Sequence, residues 1–214
     1  MQQKISFKTI LMVFTACITW FAVILQFSIS INLYLQSGRT LGGTIVQLFS
    51  FFTILSNILI AVYLSVLLLK PASRPGKYFS SASVAGAVAV YIAIVGLVYN
   101  LVLRYIWAPA GLSRVADELL HLVNPVLFLL YWLIYAPKST LKWGDLYYWL
   151  IFPLIYLIFI IIRGAVSGFY PYPFMDVLTL GYAKVAVNSL MIMAGFVFFS
   201  ALFIFIGRFQ AKKT

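Results

Sequence analysis

Six long apolar segments, at residues 8–32, 48–69, 82–104, 116–135, 145–163 and 183–207, constrain this chain more than any other feature. Each approaches or exceeds the roughly 20 residues a helix needs to cross a hydrocarbon core. The connections between them are short, so no soluble domain is left over. The sequence therefore predicts an all-α polytopic membrane protein with six transmembrane helices, folded as a single domain over residues 1–214. Composition agrees. Hydrophobic residues make up 64% of the chain and charged residues 9%, against roughly 45–50% and about 25% in soluble domains. The first segment is too long for a signal-peptide core and lacks a clear small-residue cleavage site. Cys17 is the lone cysteine, which excludes an internal disulfide and leaves it as a small packing residue.

The net charge of +11 suggests nucleic acid until its distribution is read. With the N-terminus in the cytoplasm, Lys4, Lys8, Lys70, Arg74, Lys77, Lys138, Lys142, Arg208, Lys212 and Lys213 fall on the cytoplasmic side. Only Arg39, Arg104, Arg114, Arg163 and Lys184 fall outside. That asymmetry on short loops follows the positive-inside rule, aided by anionic headgroups. The partner is a membrane, not nucleic acid, and both termini are expected in the cytoplasm, with a bacterial inner or plasma membrane as the setting.

Within this apolar frame, His121 is the only histidine. An ionisable side chain inside a span costs a few kcal/mol on insertion scales and marks function by default. Any role that needs histidine falls on it, and a paired-histidine site is excluded. Thr53 and His121 each lie about five residues below the outer end of a span running inward, roughly 8 Å deep at 1.5 Å per residue. Two such groups at one depth are placed to meet across a shared cavity. Asn57 follows Thr53 by one turn and Asn124 follows His121; Asp117 and Glu118 precede it. Asn100 and Arg104 end the third span, Arg163 ends the fifth, and Lys184 and Asn188 open the sixth. The other half of the same spans is nearly all Leu, Ile, Val and Phe. An outward cavity with an apolar floor satisfies that pattern.

Each residue also has a plainer role. Membrane threonines commonly bond their own i−4 carbonyl, buried amides glue helices, and terminal arginines snorkel to phosphates. No GxSxG elbow, phosphate loop, HExxH or Cys/His metal spacing is present. Asp117, Glu118 and His121 could pair as carboxylate and imidazole ligands, but a third strong kind of ligand is not evident, so neither metal nor other cofactor is expected. Pro125 and Pro153 are kink candidates. The stretch RGAVSGFYPYPFMD at 163–176 is aromatic and stiffened by Pro171 and Pro173, which suits an interfacial cap or lid.

Three segments resemble one family. FFTILSN at 51–57, ELLHLVNPVLFLLYW at 118–132 and YPYPF at 170–174 are similar in order and spacing to the androgen-induced and androgen-dependent membrane hydrolases and their bacterial relatives. The resemblance implies a six-span enzyme that hydrolyses fatty acid esters of hydroxy fatty acids through a threonine nucleophile and a histidine, here Thr53 and His121. A threonine hydroxyl needs a base to accept its proton, and imidazole suits that role. Asn57, Asn124 or Asn188 would donate to the oxyanion. Arg104, Arg163 and Lys184 would hold a lipid carboxylate, and the apolar floor would take an acyl chain. Asp117 or Glu118 is a weaker candidate to orient His121. The other readings of the sequence are a small proton-coupled or lipid transporter and a membrane partner without chemistry.

Overall fold

The computed structural model describes residues 6–212. Lys4 and Lys213, two of the charges assigned above to the cytoplasm, lie outside the described residues. Among the described residues the chain is helical, without strands. Six of its helices are long and apolar enough to cross a membrane. The chain divides into two compact units, one ending at Thr140 and the other starting at Leu141, where the sequence suggested one domain.

The first unit contains four spans. They are α1 (Phe7–Gln36), α3 (Phe52–Leu69), α5 (Ala82–Leu101) and a composite fourth span. The fourth joins α6 (Leu112–Glu118) to α7 (Asn124–Tyr135) through a π turn at Leu119–Val123. Two short helices, α2 (Leu41–Leu48) and α4 (Arg74–Phe79), lie in the connections. α1 packs on α3 and α7, and α5 packs on the same two helices, which closes a four-membered ring. Hydroxyl residues start most of these helices. Ser6, Thr40, Ser73 and Ser81 accept from the backbone N–H of Thr9, Gly43, Gly76 and Val84, satisfying donors that helix geometry leaves unpaired.

Side chains such as Ile24, Leu130 and Ile134 stay exposed, as lipid-facing positions should. The interior is smaller-grained. Ala22, Val23, Ile54 and Leu120 form a buried cluster, with Phe27 packed on it. Toward the other half, Tyr63 meets Phe79, Phe128 and Tyr131 at 5.5–6.2 Å between ring centroids. That half is thus less purely aliphatic than its hydropathy suggests, for Thr15, Thr19, Tyr63 and Tyr131 are buried there.

The second unit holds α8 (Asp145–Ser167) and α9 (Val177–Ala211). α8 runs past Arg163 and stops where Gly168 adopts φ 69°, a left-handed conformation that glycine alone takes without strain. α9 begins with Asp176 accepting from the N–H of Leu178 and Thr179, and it kinks at Gly181, with φ 74°. The stretch between these helices folds back onto them. Met175, Val177 and Val185 form its core, packed against Tyr170, Tyr172 and Phe174, the last two stacked at 5.2 Å. A Cβ on Gly164 would lie 2.0 Å from the Tyr170 ring. Gly164→Ala should therefore displace Tyr170 and lower the thermal stability of this unit by about 1–3 kcal/mol, the usual cost of overpacking. Unchanged melting of the purified variant in detergent would show that the ring yields freely.

The structure moves several predicted boundaries. The second span starts at Phe52 rather than 48, because the chain leaves the helix over residues 49–51 and the Ser50 hydroxyl closes on the Val46 carbonyl. The fourth starts at Leu112 and the fifth ends at Ser167. Lys138, read as a topology charge, folds back as a cap. Its ammonium donates to the carbonyls of Trp132, Leu133 and Ala136 at the end of α7, where helix geometry leaves acceptors open. Burial holds its pKa below the usual lysine value.

Candidate active site

Pro125 organises the site. A proline has no N–H, so it donates neither to the carbonyl four residues back, His121, nor to the one five back, Leu120. Both carbonyls lie in the π turn, and both are satisfied from neighbouring helices. Asn57 on α3 donates to Leu120 O at 3.2 Å, and Asn100 on α5 donates to His121 O at 3.1 Å. Two asparagines thus replace the bonds the proline removed, and they tie the fourth span to the second and third. Such π turns recur at functional sites because they re-aim side chains.

The re-aimed side chain here is His121. Its Nε2 lies 3.2 Å from Thr53 Oγ1, across 68 residues of sequence. Its Nδ1 lies 2.9 Å from the Asp117 carbonyl oxygen and 3.1 Å from Asp117 Oδ1. A carbonyl oxygen only accepts, so Nδ1 carries the proton of the neutral imidazole and Nε2 is left as an acceptor. The Thr53 hydroxyl then donates to Nε2. The three groups stand in the order Thr53, His121, Asp117, each within hydrogen-bond reach of the next.

Thr53 is free for this contact because of where its helix begins. Thr19 and Thr44 bond the carbonyls of Thr15 and Thr40, four residues back. Thr53 sits in the first turn of α3, where the residue four back, Phe49, lies outside the helix. The hydroxyl is turned instead to His121. The pair meets at one level as expected, but from different distances along the helices: Thr53 is at the start of its span, while His121 lies well inside its own. Thr53 is 7% exposed and the His121 side chain 15%.

Most of the surrounding polar groups are engaged with one another, the buried Asn124 Oδ1 excepted, and this revises several roles read from the sequence. Asn57 spends its two amide hydrogens on Thr53 O, at 2.9 Å, and Leu120 O, so it has none left for an oxyanion. Asn124 donates to Asn57 Oδ1 at 2.8 Å. Both serve as a buried brace beneath the Thr53–His121 pair. Arg104 is not a free cation awaiting a lipid carboxylate: its fork grips Glu118 with two bonds of 2.7 Å, and its Nε donates to Asn100 Oδ1 at 2.9 Å. Glu118 is accordingly engaged by Arg104, and the carboxylate at the imidazole is Asp117.

Arg163, Lys184 and Asn188 belong to the second unit. Arg163 donates to Phe169 O at 3.2 Å and lies over the Phe169 ring. Asn188 donates to Phe174 O at 2.8 Å. These two hold the aromatic stretch in place, which accounts for them without an oxyanion or a substrate carboxylate. Lys184 is exposed.

Sequence reasoning missed Tyr99. Its ring stacks on the His121 imidazole, with centroids 3.9 Å apart and planes inclined by 14°, and its hydroxyl donates to Asp117 Oδ2. An aromatic residue in an apolar span looks like core. The only available signal was its position beside Asn100 and near Arg104, at the polar end of the third span. No family model matches the chain, and neither does any of the curated proteins or solved structures compared with it.

Proposed function

We propose that this protein is an intramembrane hydrolase of lipid esters, such as fatty acid esters of hydroxy fatty acids, with Thr53 as nucleophile and His121 as general base. The observation that carries the reading is the ordered contact of Thr53 Oγ1 with His121 Nε2 and of His121 Nδ1 with Asp117. A nucleophile, a base and an orienting carboxylate in that order form the constellation of acyl transfer. The similarity of the segments around Thr53 and His121 to the androgen-induced and androgen-dependent hydrolases adds support.

In this mechanism Thr53 Oγ1 attacks the ester carbonyl carbon as its proton passes to His121 Nε2. The imidazolium is stabilised through Nδ1 by Asp117. Collapse of the tetrahedral intermediate breaks the bond to the alkoxy oxygen, which takes the proton from Nε2 and leaves as an alcohol. Water then attacks the acyl-threonine, giving its proton to Nε2. The carboxylic acid departs as Thr53 regains its hydrogen. With Asn57 committed to backbone, the oxyanion would be stabilised by the positive dipole end of α3, in whose first turn Thr53 sits. A fluorophosphonate probe tests the reading: it should label the purified protein covalently at Thr53. Absence of both labelling and ester turnover would overturn the reading.

The same reading places both termini and the loops 70–81 and 136–144 in the cytoplasm, on the strength of the lysine distribution. Cysteines introduced at the exposed positions Arg74 and Thr140 should resist membrane-impermeant reagents applied from outside. Labelling from that side would invert the topology.

A further inference from the structure

We propose that Tyr99 is the positioning residue of this site, fixing the plane of the His121 ring and the Asp117 carboxylate that faces its Nδ1. The proposal rests on the hydrolase reading for its catalytic consequence, though not for its structural content. Tyr99 is 3% exposed, and a phenol hydroxyl so buried needs a partner. It takes Asp117 Oδ2, which leaves Oδ1 to face His121 Nδ1 at 3.1 Å. The two carboxylate oxygens are thereby divided between two partners, and the carboxylate loses the freedom to turn about its own axis. The same Tyr99 ring lies against the imidazole face and fixes the plane in which Nε2 points at Thr53. One side chain constrains both the base and its orienter.

The surroundings leave few competitors for this role. From α3 the group facing His121 is Thr53. From the third span come Tyr99 and, over the Tyr99 ring at 5.1 Å, Arg104, which is paired with Glu118. From α1 the apolar Ala22, Val23 and Phe27 pack against Leu120, and Gln26, on the same face, donates to Ser30. Asp117 thus supplies both acceptors at Nδ1, its backbone carbonyl at 2.9 Å and Oδ1 at 3.1 Å, and Tyr99 is the donor that sets the carboxylate.

A single histidine makes the test direct, because nitrogen-15 labelling of histidine gives one pair of ring signals in the full-length protein in detergent. The wild type should show Nδ1 protonated and Nε2 bare in the neutral imidazole. Tyr99→Phe keeps the ring and removes only the hydroxyl, so it should move the Nδ1–H signal while the Asp117 backbone carbonyl keeps the proton on Nδ1. In an Asp117→Asn background the same change should add nothing, since Tyr99 acts through Asp117. Tyr99→Leu, which also removes the stacked ring, should disturb the signals further. Ester turnover by Tyr99→Phe should fall about tenfold in kcat with KM nearly unchanged, the loss expected for one hydrogen bond to a charged group. A wild-type imidazole protonated at Nε2, an unaltered spectrum in Tyr99→Phe, or an equal shift in both backgrounds would overturn the proposal. A wild-type protein that hydrolyses no ester would remove the hydrolase reading instead, while the nitrogen signals would still decide the place of Tyr99.

Discussion

Thr53→Ala and His121→Ala should each reduce ester hydrolysis by at least about 10³-fold, as the loss of a nucleophile or its base does in hydrolases of this chemistry. The folded protein should survive both changes. Thr53→Ala deletes one side-chain hydrogen bond, worth about 1 kcal/mol net, and its backbone carbonyl still accepts from Asn57. His121→Ala removes the ring beside Tyr99 but leaves the π-turn carbonyls with their donors Asn57 and Asn100. Thr53→Ser should retain part of the activity because the attacking oxygen remains. Because two residues acting as one unit are not additive, the double Ala variant should be no slower than either single one. The measurement is turnover of a defined lipid ester by purified variants whose melting matches the wild type. Wild-type rates from Thr53→Ala would eliminate the mechanism, whatever the geometry around it.

The second large effect is expected at Asp117 and not at its neighbour. Asp117→Asn keeps size and shape but removes the negative charge that faces His121 Nδ1 at 3.1 Å. The backbone carbonyl at position 117 still accepts from Nδ1, but the imidazolium formed when His121 takes the Thr53 proton loses its stabilising charge. In the serine protease triad the same replacement lowers kcat by about 10⁴-fold, so a loss of about 10²–10⁴-fold is expected here. Glu118→Gln should behave differently, since Glu118 faces Arg104. It should weaken the pairing of the third and fourth spans, seen as a lower melting temperature, and leave kcat within a few-fold. Equal losses of kcat in the two variants would mean that the site responds to net charge and not to the one carboxylate facing the imidazole.

These contrasts separate what the linear chain carries from what packing adds. The membrane class and the number of spans were legible because hydropathy is a local property: a run of about 20 apolar residues has few destinations other than a bilayer. His121 and Thr53 were legible because a polar group in such a run is expensive enough to need a reason. Pro125 was legible as a point of distortion, since a missing N–H is written in the residue itself.

The form of that distortion was not. Whether the chain answers Pro125 with a bend or a π turn depends on donors reaching Leu120 O and His121 O, and those donors, Asn57 and Asn100, arrive from two other helices. The same holds for Asp117 and Glu118. Adjacent in sequence and chemically alike, they diverge because one faces Tyr99 and His121 while the other meets Arg104. The sequence alone determined which residues in the apolar spans demanded partners. Tertiary structure decided the pairing, because hydrogen bonds are directional and short, and only the packed helices place one donor within about 3 Å of one acceptor.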